Sequence, residues 1–359
     1  MIKKLDLYII KKFLGTFFFS IILIVTIAIV FDLSEKLDDF MEKQVPAKEI
    51  FFGYYMNFAP YFANLFMFLF VFISVIFFTS KMANRSEIIA ILSAGISFKR
   101  LLVPYFVSAG FLALLSLLLS NFIIPNATEN RLKFENTYIN GTYYNSDRNI
   151  HKQISPGVFI YLENYNTVTD MGYKFSIEKF ENNKLVSKLM SELIQWDSIK
   201  SKWKVHNYYI RTYGDSIHNI EYGTLTDTSL TIYPADFKER ATTVETLNYF
   251  ELNDFIDSQI LHGNANINSY LIEKHGRLAY PFATFILTLI GVSVSSRKVR
   301  GGTGMTIGIG LLLSFSFILF MQIAKQFSIN GNFPPLLSVW LPNIIYFFIA
   351  IFVYKLAPK

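Results

Sequence analysis

Residues 13–31 read Phe13-Leu-Gly-Thr-Phe-Phe-Phe-Ser-Ile-Ile-Leu-Ile-Val-Thr-Ile-Ala-Ile-Val-Phe31, without one charged side chain. Crossing the hydrocarbon core of a bilayer takes about 20 predominantly apolar residues. Soluble core helices rarely sustain such a run. Lysines precede it, as in a secretory signal, but it is too long for a signal h-region. Phe31-Asp32-Leu33 is also not a small-residue cleavage site. The stretch is read as a retained transmembrane helix. Five further stretches lack Asp, Glu, Lys and Arg: Ile50–Ser80, Leu101–Thr128, Leu278–Ser296, Gly301–Ala324 and Gln326–Tyr354. Pro60, Pro104, Pro281 and Pro342 lie in or near them and predict kinks or helix starts, which lipid-embedded helices tolerate.

The whole chain agrees with these stretches. Of 359 residues, 52% are hydrophobic and 17% charged, against about 25% charged in a soluble domain. The 37 Phe and 21 Tyr deepen the contrast. Disordered chains, nucleic-acid tails and ordinary soluble enzymes are excluded. Cysteine is absent, which removes disulfides, thiolate nucleophiles and Cys-based zinc sites. The net charge of +6 has an address. Lys3, Lys4, Lys11, Lys12, Lys81, Arg85, Lys99, Arg100, Arg297, Lys298, Arg300, Lys355 and Lys359 fall in alternate connections and at the ends, with only Asp6 and Glu87 among them. The loop Asp32–Glu49 carries three lysines and six acids. The bias of Lys and Arg sets orientation and predicts both termini in the cytoplasm with six spans. The basicity is a topology signal, not an affinity for an acidic partner.

Between the third and fourth stretches the composition turns to Asn, Ser, Thr, Tyr and charge. Gly157–Glu163, Tyr173–Phe180, Lys184–Trp196, Lys202–Thr212 and Thr228–Tyr233 alternate as strands do. Glu181-Asn-Asn183, Asp197-Ser198, Gly214-Asp215 and Tyr222-Gly223 read as turns between them. Short strands at this spacing predict an antiparallel sandwich or jelly roll, either inert or enclosing a greasy trough. Leu252-Asn-Asp-Phe-Ile256 precedes a turn region at Gly263, and residues 268–277 should form a helix leading into span four. The expected layout is residues 1–124 for spans one to three, 125–267 for the β domain, and 268–359 for spans four to six.

Little chemistry is on view. His151, His206, His218, His262 and His275 show no metal spacing. There is no G-x-S-x-G elbow and no phosphate loop. Gly301-Gly-Thr-Gly304 reads as a tight turn. Ionisable residues are missing from mid-span, where ion-coupled transporters build their coupling, so any energy should come from outside the chain. The most informative connection is Asn84-Arg-Ser-Glu-Ile-Ile-Ala-Ile-Leu-Ser-Ala-Gly-Ile-Ser97. Asn84 with Glu87 fits an N-cap and its reciprocal partner, and Gly95 fits a C-terminal stop. Ile88, Ile91 and Leu92 share one face of the short helix between them. That face could lie against lipid or insert into a groove on a partner.

This loop resembles that of the lipopolysaccharide-export permeases of the LptF/LptG (YjgP/YjgQ) type. The likeness extends to the Leu5-Asp6-Leu-Tyr-Ile start, to Glu273-Lys-His-Gly-Arg-Leu-Ala-Tyr-Pro281, and to Gly331-Asn-Phe-Pro-Pro335 with Leu341-Pro342. The Leu-Asp start and the Pro-Pro segment lean toward the G-type half. The resemblance implies six transmembrane helices with an inserted all-β periplasmic jelly-roll-like domain, in the bacterial inner membrane. It implies a permease subunit, not an enzyme, that extracts lipopolysaccharide from the outer leaflet and passes it to a periplasmic bridge. Its partners would be an LptB-like ATPase dimer, a second LptF/LptG-type permease and an LptC-like periplasmic protein, with no nucleic acid. No cofactor would be bound by this chain, and ATP would be used by the ATPase. A coupling helix of about 84–95 would seat on that ATPase through Arg85, Ser86, Glu87, Ile88, Ile91, Leu92 and Gly95, with Glu87 matching the family's acidic coupling residue. Spans one and five would line the gates of the lipid cavity. One departure stands out. The G-type half places basic residues at the outer end of span one to meet lipid phosphates, whereas Phe31–Asp39 is mostly acidic here, and Lys36 is the one nearby substrate-binding candidate. Two other functions are open: a mechanotransmitting permease that moves no lipid, and a membrane enzyme using the cluster Asp32, Glu35, Asp38 and Asp39, which no base or metal motif joins.

Overall fold

In lipid, every backbone N–H and C=O must be satisfied within the segment, so long apolar runs become helices. The computed structural model describes residues 3–139, 148–213, 218–228, 230–237, 241–264, 266–297, 302–331 and 333–357. Among them, six helices are long and apolar enough to cross a membrane. In chain order the first helices are α1 (Lys4–Glu42), α2 (Met56–Leu65), α3 (Met67–Asn84), the short α4 (Glu87–Ser93), α5 (Phe98–Leu118) and α6 (Ile124–Tyr138). α5 and α6 run on through a π-helical turn at Leu119–Ile123 and count as one span. After the insert come α8 (Ile267–Ser295), α9 (Gly302–Ile329) and α10 (Pro335–Leu356). The apolar stretch Ile50–Ser80, expected as a single span, is divided. A π-helical turn occupies Glu49–Tyr55, and Phe66 sits at φ −93°, ψ 1°, between α2 and α3. Only α3 has the length and composition of a span there. The run Gln326–Tyr354 is also broken, because Gly331 takes φ +79° and Pro335 starts a new helix.

α3 is the axis of this helical unit. One side of it (Met67, Val71, Val75, Phe78, Met82) packs with Ile9, Phe13, Phe17 and Ile21 of α1 and Leu101, Leu102, Tyr105 and Leu112 of α5. Its other side (Phe68, Phe72, Ile76) packs with Ala283, Leu287 and Ile290 of α8, Phe317 and Met321 of α9, and Tyr346 of α10. Gly291 lets α8 approach closely, since a Cβ there would lie 2.9 Å from a Val75 methyl. Small residues at such contacts are how membrane helices gain packing where lipid offers no hydrophobic drive.

The insert forms a second compact unit of Glu135–Thr243 and Phe250–Ile267. Its strands are β1 (Arg148–Ser155), β2 (Val158–Asn166), β3 (Met171–Glu181), β4 (Lys184–Asp197), β5 (Lys202–Tyr213) and β6 (His218–Thr228), followed by α7 (Tyr249–Leu261). They form one antiparallel sheet in sequential order, a meander. Ile160, Leu162, Phe175, Ile194, Trp203 and Val205 are buried together, and Ile232 and Phe237 join them from the segment after β6. Trp203 Nε1 donates to the Ile232 carbonyl at 2.9 Å, and the Tyr165 and Phe237 rings stack with centroids 4.4 Å apart.

Two sequence readings are corrected here. Thr228 ends β6, residues 230–233 are not in a strand, and β6 is the last strand among the described residues, with Tyr222-Gly223 inside it rather than in a turn. Gly223 pairs across from Tyr208, whose ring occupies the space a Gly223 side chain would need. The glycine makes room for an aromatic cover, a use that resembles a turn signal in sequence. The Gly214-Asp215 turn lies outside the described residues. The helix expected at 268–277 is the first part of α8.

Candidate functional site

The connection 84–97 begins where α3 ends. Asn84 is the last residue of α3, not a cap. The N-cap of α4 is Ser86, in the left-handed region at φ 60°, and its side chain makes no capping hydrogen bond. The expected Asn84–Glu87 capping box is therefore corrected, and the helix spans Glu87–Ser93 instead of about 84–95. Helical hydrogen bonding from α3 still reaches Arg85 N–H, which donates to the Lys81 carbonyl, and this leaves Asn84 no cap role. Gly95 does end the helix. Its φ is +85°, its N–H donates to Leu92 O at 3.0 Å, and the Ile96 N–H reaches Ile91 O at 3.3 Å. That pair of bonds is the Schellman arrangement, which needs the left-handed residue glycine supplies.

The face of α4 shared by Ile88, Ile91 and Leu92 turns inward. Ile88 is fully buried among Ile9, Phe13, Phe98 and Leu101, and Ile91 and Leu92 pack against the same cluster. Ile88 is therefore closed to lipid or a partner by the chain's own helices, while Ile91 and Leu92 are half-buried and keep part of their apolar surface open. What α4 leaves exposed is Arg85, Ser86, Ile89, Ala90, Ser93 and Gly95, with Glu87 half-buried beside them. Ile89 is 54% exposed. Sequence periodicity missed it because three inward residues already filled the helix's apolar face.

The start of α1 and the start of α5 are tied together beside α4. Asp6 is buried, and Arg100 grips it with two parallel bonds, Nη1 to Oδ1 at 2.7 Å and Nη2 to Oδ2 at 2.6 Å. The Lys3 N–H also donates to Asp6 Oδ2 at 2.8 Å. A two-pronged guanidinium–carboxylate pair fixes orientation as well as distance. Two residues on, the Tyr8 hydroxyl donates to Glu87 Oε2 at 3.2 Å. Ser97 caps α5 by accepting from the Arg100 N–H.

At the other end of α1, Lys36 is held rather than presented. Its ammonium pairs with Asp32 at 3.0 Å, contacts the Tyr54 hydroxyl, and lies 4.5 Å from the centre of that ring. The Tyr55 hydroxyl donates to Asp32 as well.

A cavity of about 200 Å³ lies among α2, α6, α8, α9 and the segment Val244–Tyr249, with Tyr61, Glu245, Glu273, Arg277, Tyr280 and Lys325 on its wall. Arg277 is buried, and each of its three guanidinium nitrogens donates. Its Nε donates to Glu273 at 2.9 Å, Nη1 to the Leu247 carbonyl at 2.7 Å and Nη2 to the Val244 carbonyl at 2.9 Å. It thereby fastens the segment returning from the insert. Burial, and then the nearby Glu273 carboxylate, push the Glu245 carboxyl above its usual range. The Lys325 ammonium lies 4.7 Å from the centre of the Tyr280 ring. Sequence reading quoted Glu273–Pro281 but did not assemble this group, because its members come from four separate segments. The one local signal was Glu273 with Arg277, four apart on one helix face. Among the described residues, no three His, Asp or Glu side chains gather as a metal ion would require.

Comparison with protein-family models matches residues 7–356 to the lipopolysaccharide export system permease LptF/LptG. The chain belongs to the LptF/LptG family. It is a permease of lipopolysaccharide export and an inner-membrane protein, and the family is not itself enzymatic. Such permeases work with an ABC ATPase and with lipopolysaccharide. A search of curated proteins finds no match. The family match spans both units, so the six candidate membrane helices and the inserted antiparallel sheet are those of an LptF/LptG permease. Asp6, quoted in sequence as part of a start motif, and Arg100, read for topology, are now partners in one ion pair of that permease.

Proposed function

We propose that this permease is the transmembrane half of an ATP-driven extractor, seated on its ATPase through the exposed side of α4. The carrying observation is that α4 is anchored on one side and open on the other. Ile88 is fully buried in the helical unit while Arg85, Ser86 and Ile89 face outward. A helix fastened in this way delivers an applied force to the spans rather than sliding over them. Arg85, Ser86 and Glu87 would contact the ATPase with Ile89, Ser93 and Gly95, while Ile88, Ile91 and Leu92 hold the helix in place. ATP would be bound by the partner, and this chain would carry no cofactor.

In this reading both termini and α4 are cytoplasmic, the sheet unit is periplasmic, and lipopolysaccharide leaves the outer leaflet through a cavity shared with a second LptF/LptG-type permease. α1 and α9 would line its gates. Their support is exposure: of the six spans these two have the least buried apolar windows, 17% and 28%. The apolar face of the meander would receive acyl chains and hand them to an LptC-like periplasmic protein. Lys36 would meet a lipid phosphate only by exchanging Asp32 for it.

The test is the purified complex with ATPase, in membranes holding lipopolysaccharide, carrying Glu87→Lys or Ile89→Asp. The ATPase should co-purify poorly or hydrolyse ATP without lipid release. Unchanged assembly and unchanged release in both variants would reject α4 as the coupling element.

A further inference from the structure

The spans of this permease are unequally held, and α1 is the least secured. Its buried residues in the membrane are Ile9, Phe13, Phe17 and Ile21, a single stripe four residues apart. Among the described residues, none between Ile21 and Phe40 is buried. At 1.5 Å per residue, α1 is a rod of roughly 58 Å, gripped over its first turns and again near Asp32. Whatever moves the first turns moves an exposed lever.

Those first turns are bound to two other elements by polar contacts. The Asp6–Arg100 fork joins α1 to the start of α5 across 94 residues of sequence. The Tyr8–Glu87 bond joins α1 to the first residue of α4. Ile88 of α4, Ile9 of α1 and Phe98 of α5 fill the same buried cluster between these links. The three helix starts are thus one packed piece with an ion pair on one side and a hydroxyl–carboxylate bond on the other. A guanidinium fork on a carboxylate fixes orientation as well as distance, which favours the piece turning as a unit.

We propose that Asp6 and Arg100 are positioning residues that make α1 follow α4, so that a displacement of α4 by the ATPase is transmitted to the lever rather than absorbed at its root. Tyr8 supplies the second link, directly from Glu87. Lipid release per ATP hydrolysed reports this role; assembly and hydrolysis alone do not. The inference rests on the seating of the ATPase on α4, and its test separates the two.

The full complex is reconstituted in membranes containing lipopolysaccharide, and ATP hydrolysis and lipid release are measured together. Asp6→Asn and Arg100→Gln should leave the ATPase bound and hydrolysing, while release per ATP falls by about tenfold, within the usual range of coupling between sites. Arg100→Lys keeps the charge but loses the fork and should fall between. The exchanged pair Asp6→Arg with Arg100→Asp should recover most of the ratio. Should Asp6→Asn fail to assemble, Tyr8→Phe, which deletes one hydroxyl from a half-exposed ring, should still lower release per ATP several-fold. If Glu87→Lys uncouples the complex but Asp6→Asn, Arg100→Gln and Tyr8→Phe keep the wild-type ratio, the inference is overturned and the seating on α4 stands. If Glu87→Lys itself changes nothing, the seating falls and takes the inference with it.

Discussion

α1 and α3 are both membrane-spanning in length and composition, yet the structure uses them oppositely. α1 has the most apolar window of the six spans and the least buried; α3 has the least apolar window and the most buried. In water the order would be reversed. In lipid, apolar surface costs nothing to expose, and burial goes to the helix that packs best. α3 brings Ser74, Thr79 and Ser80 into the interior, with Thr79 bonded to Tyr105 at 2.9 Å, and it faces Gly291 of α8. α1 brings Phe18, Phe19, Ile22, Leu23 and Ile27, all exposed. α3 is packed against helices on two sides, whereas α1 is held along one stripe and again at its far end, with an open stretch between.

That contrast can be broken by substitution. The largest loss is expected in the packed set from Arg277→Ala in α8. It strands the Val244 and Leu247 carbonyls and Glu273, and removing one partner of a buried charge group costs about 3 kcal/mol or more. Thermal unfolding in detergent and protease cleavage near residues 241–249 should both register it. Gly291→Leu, which drives a side chain into Val75 and Phe72, should cost about 1–3 kcal/mol by overpacking, read as a lower midpoint in the same unfolding scan.

The insert sharpens the comparison because its charges titrate in water. Lys204, with the Lys200 and Ile199 N–H groups, holds the Asp197 carboxyl down to about 2, from an ordinary 3.8. A depressed carboxylate stabilises the fold at every pH above its unfolded value. That contribution fades as pH falls from about 4 toward about 2. Acid unfolding of the full chain, followed by tryptophan fluorescence, should lose part of this pH dependence in Asp197→Asn. The smallest effects belong to the open helices: Phe19→Ala in α1 and Leu312→Ala in α9 should change stability by no more than about 0.5 kcal/mol. A loss there as large as that of Gly291→Leu would mean α1 and α9 are packed after all.

The six spans and the position of the sheet unit were legible because apolar length and strand alternation are local signals. So was the end of α4 at Gly95, where one residue meets a backbone requirement. The inward turn of Ile88, Ile91 and Leu92 was not, since periodicity marks an apolar face without saying what covers it. Asp6 with Arg100, and Arg277 with Val244 and Leu247, were invisible for another reason: each pair closes over a long loop of chain. Gly223 misled because a glycine under a tyrosine ring and a glycine in a turn are spelled alike.

The central claim is that the loosely held helices face the lipid path and move with ATP. Photo-crosslinking residues can be placed at Ile27 of α1, Leu312 of α9 and Leu114 of α5, all exposed, and at buried Val75 of α3. In the complete complex with lipopolysaccharide, Ile27 and Leu312 should capture the glycolipid strongly and lose it when ATP is added. Leu114 should capture little at either stage, and Val75 none. Equal capture at Leu114 and Ile27, unchanged by ATP, would contradict the account.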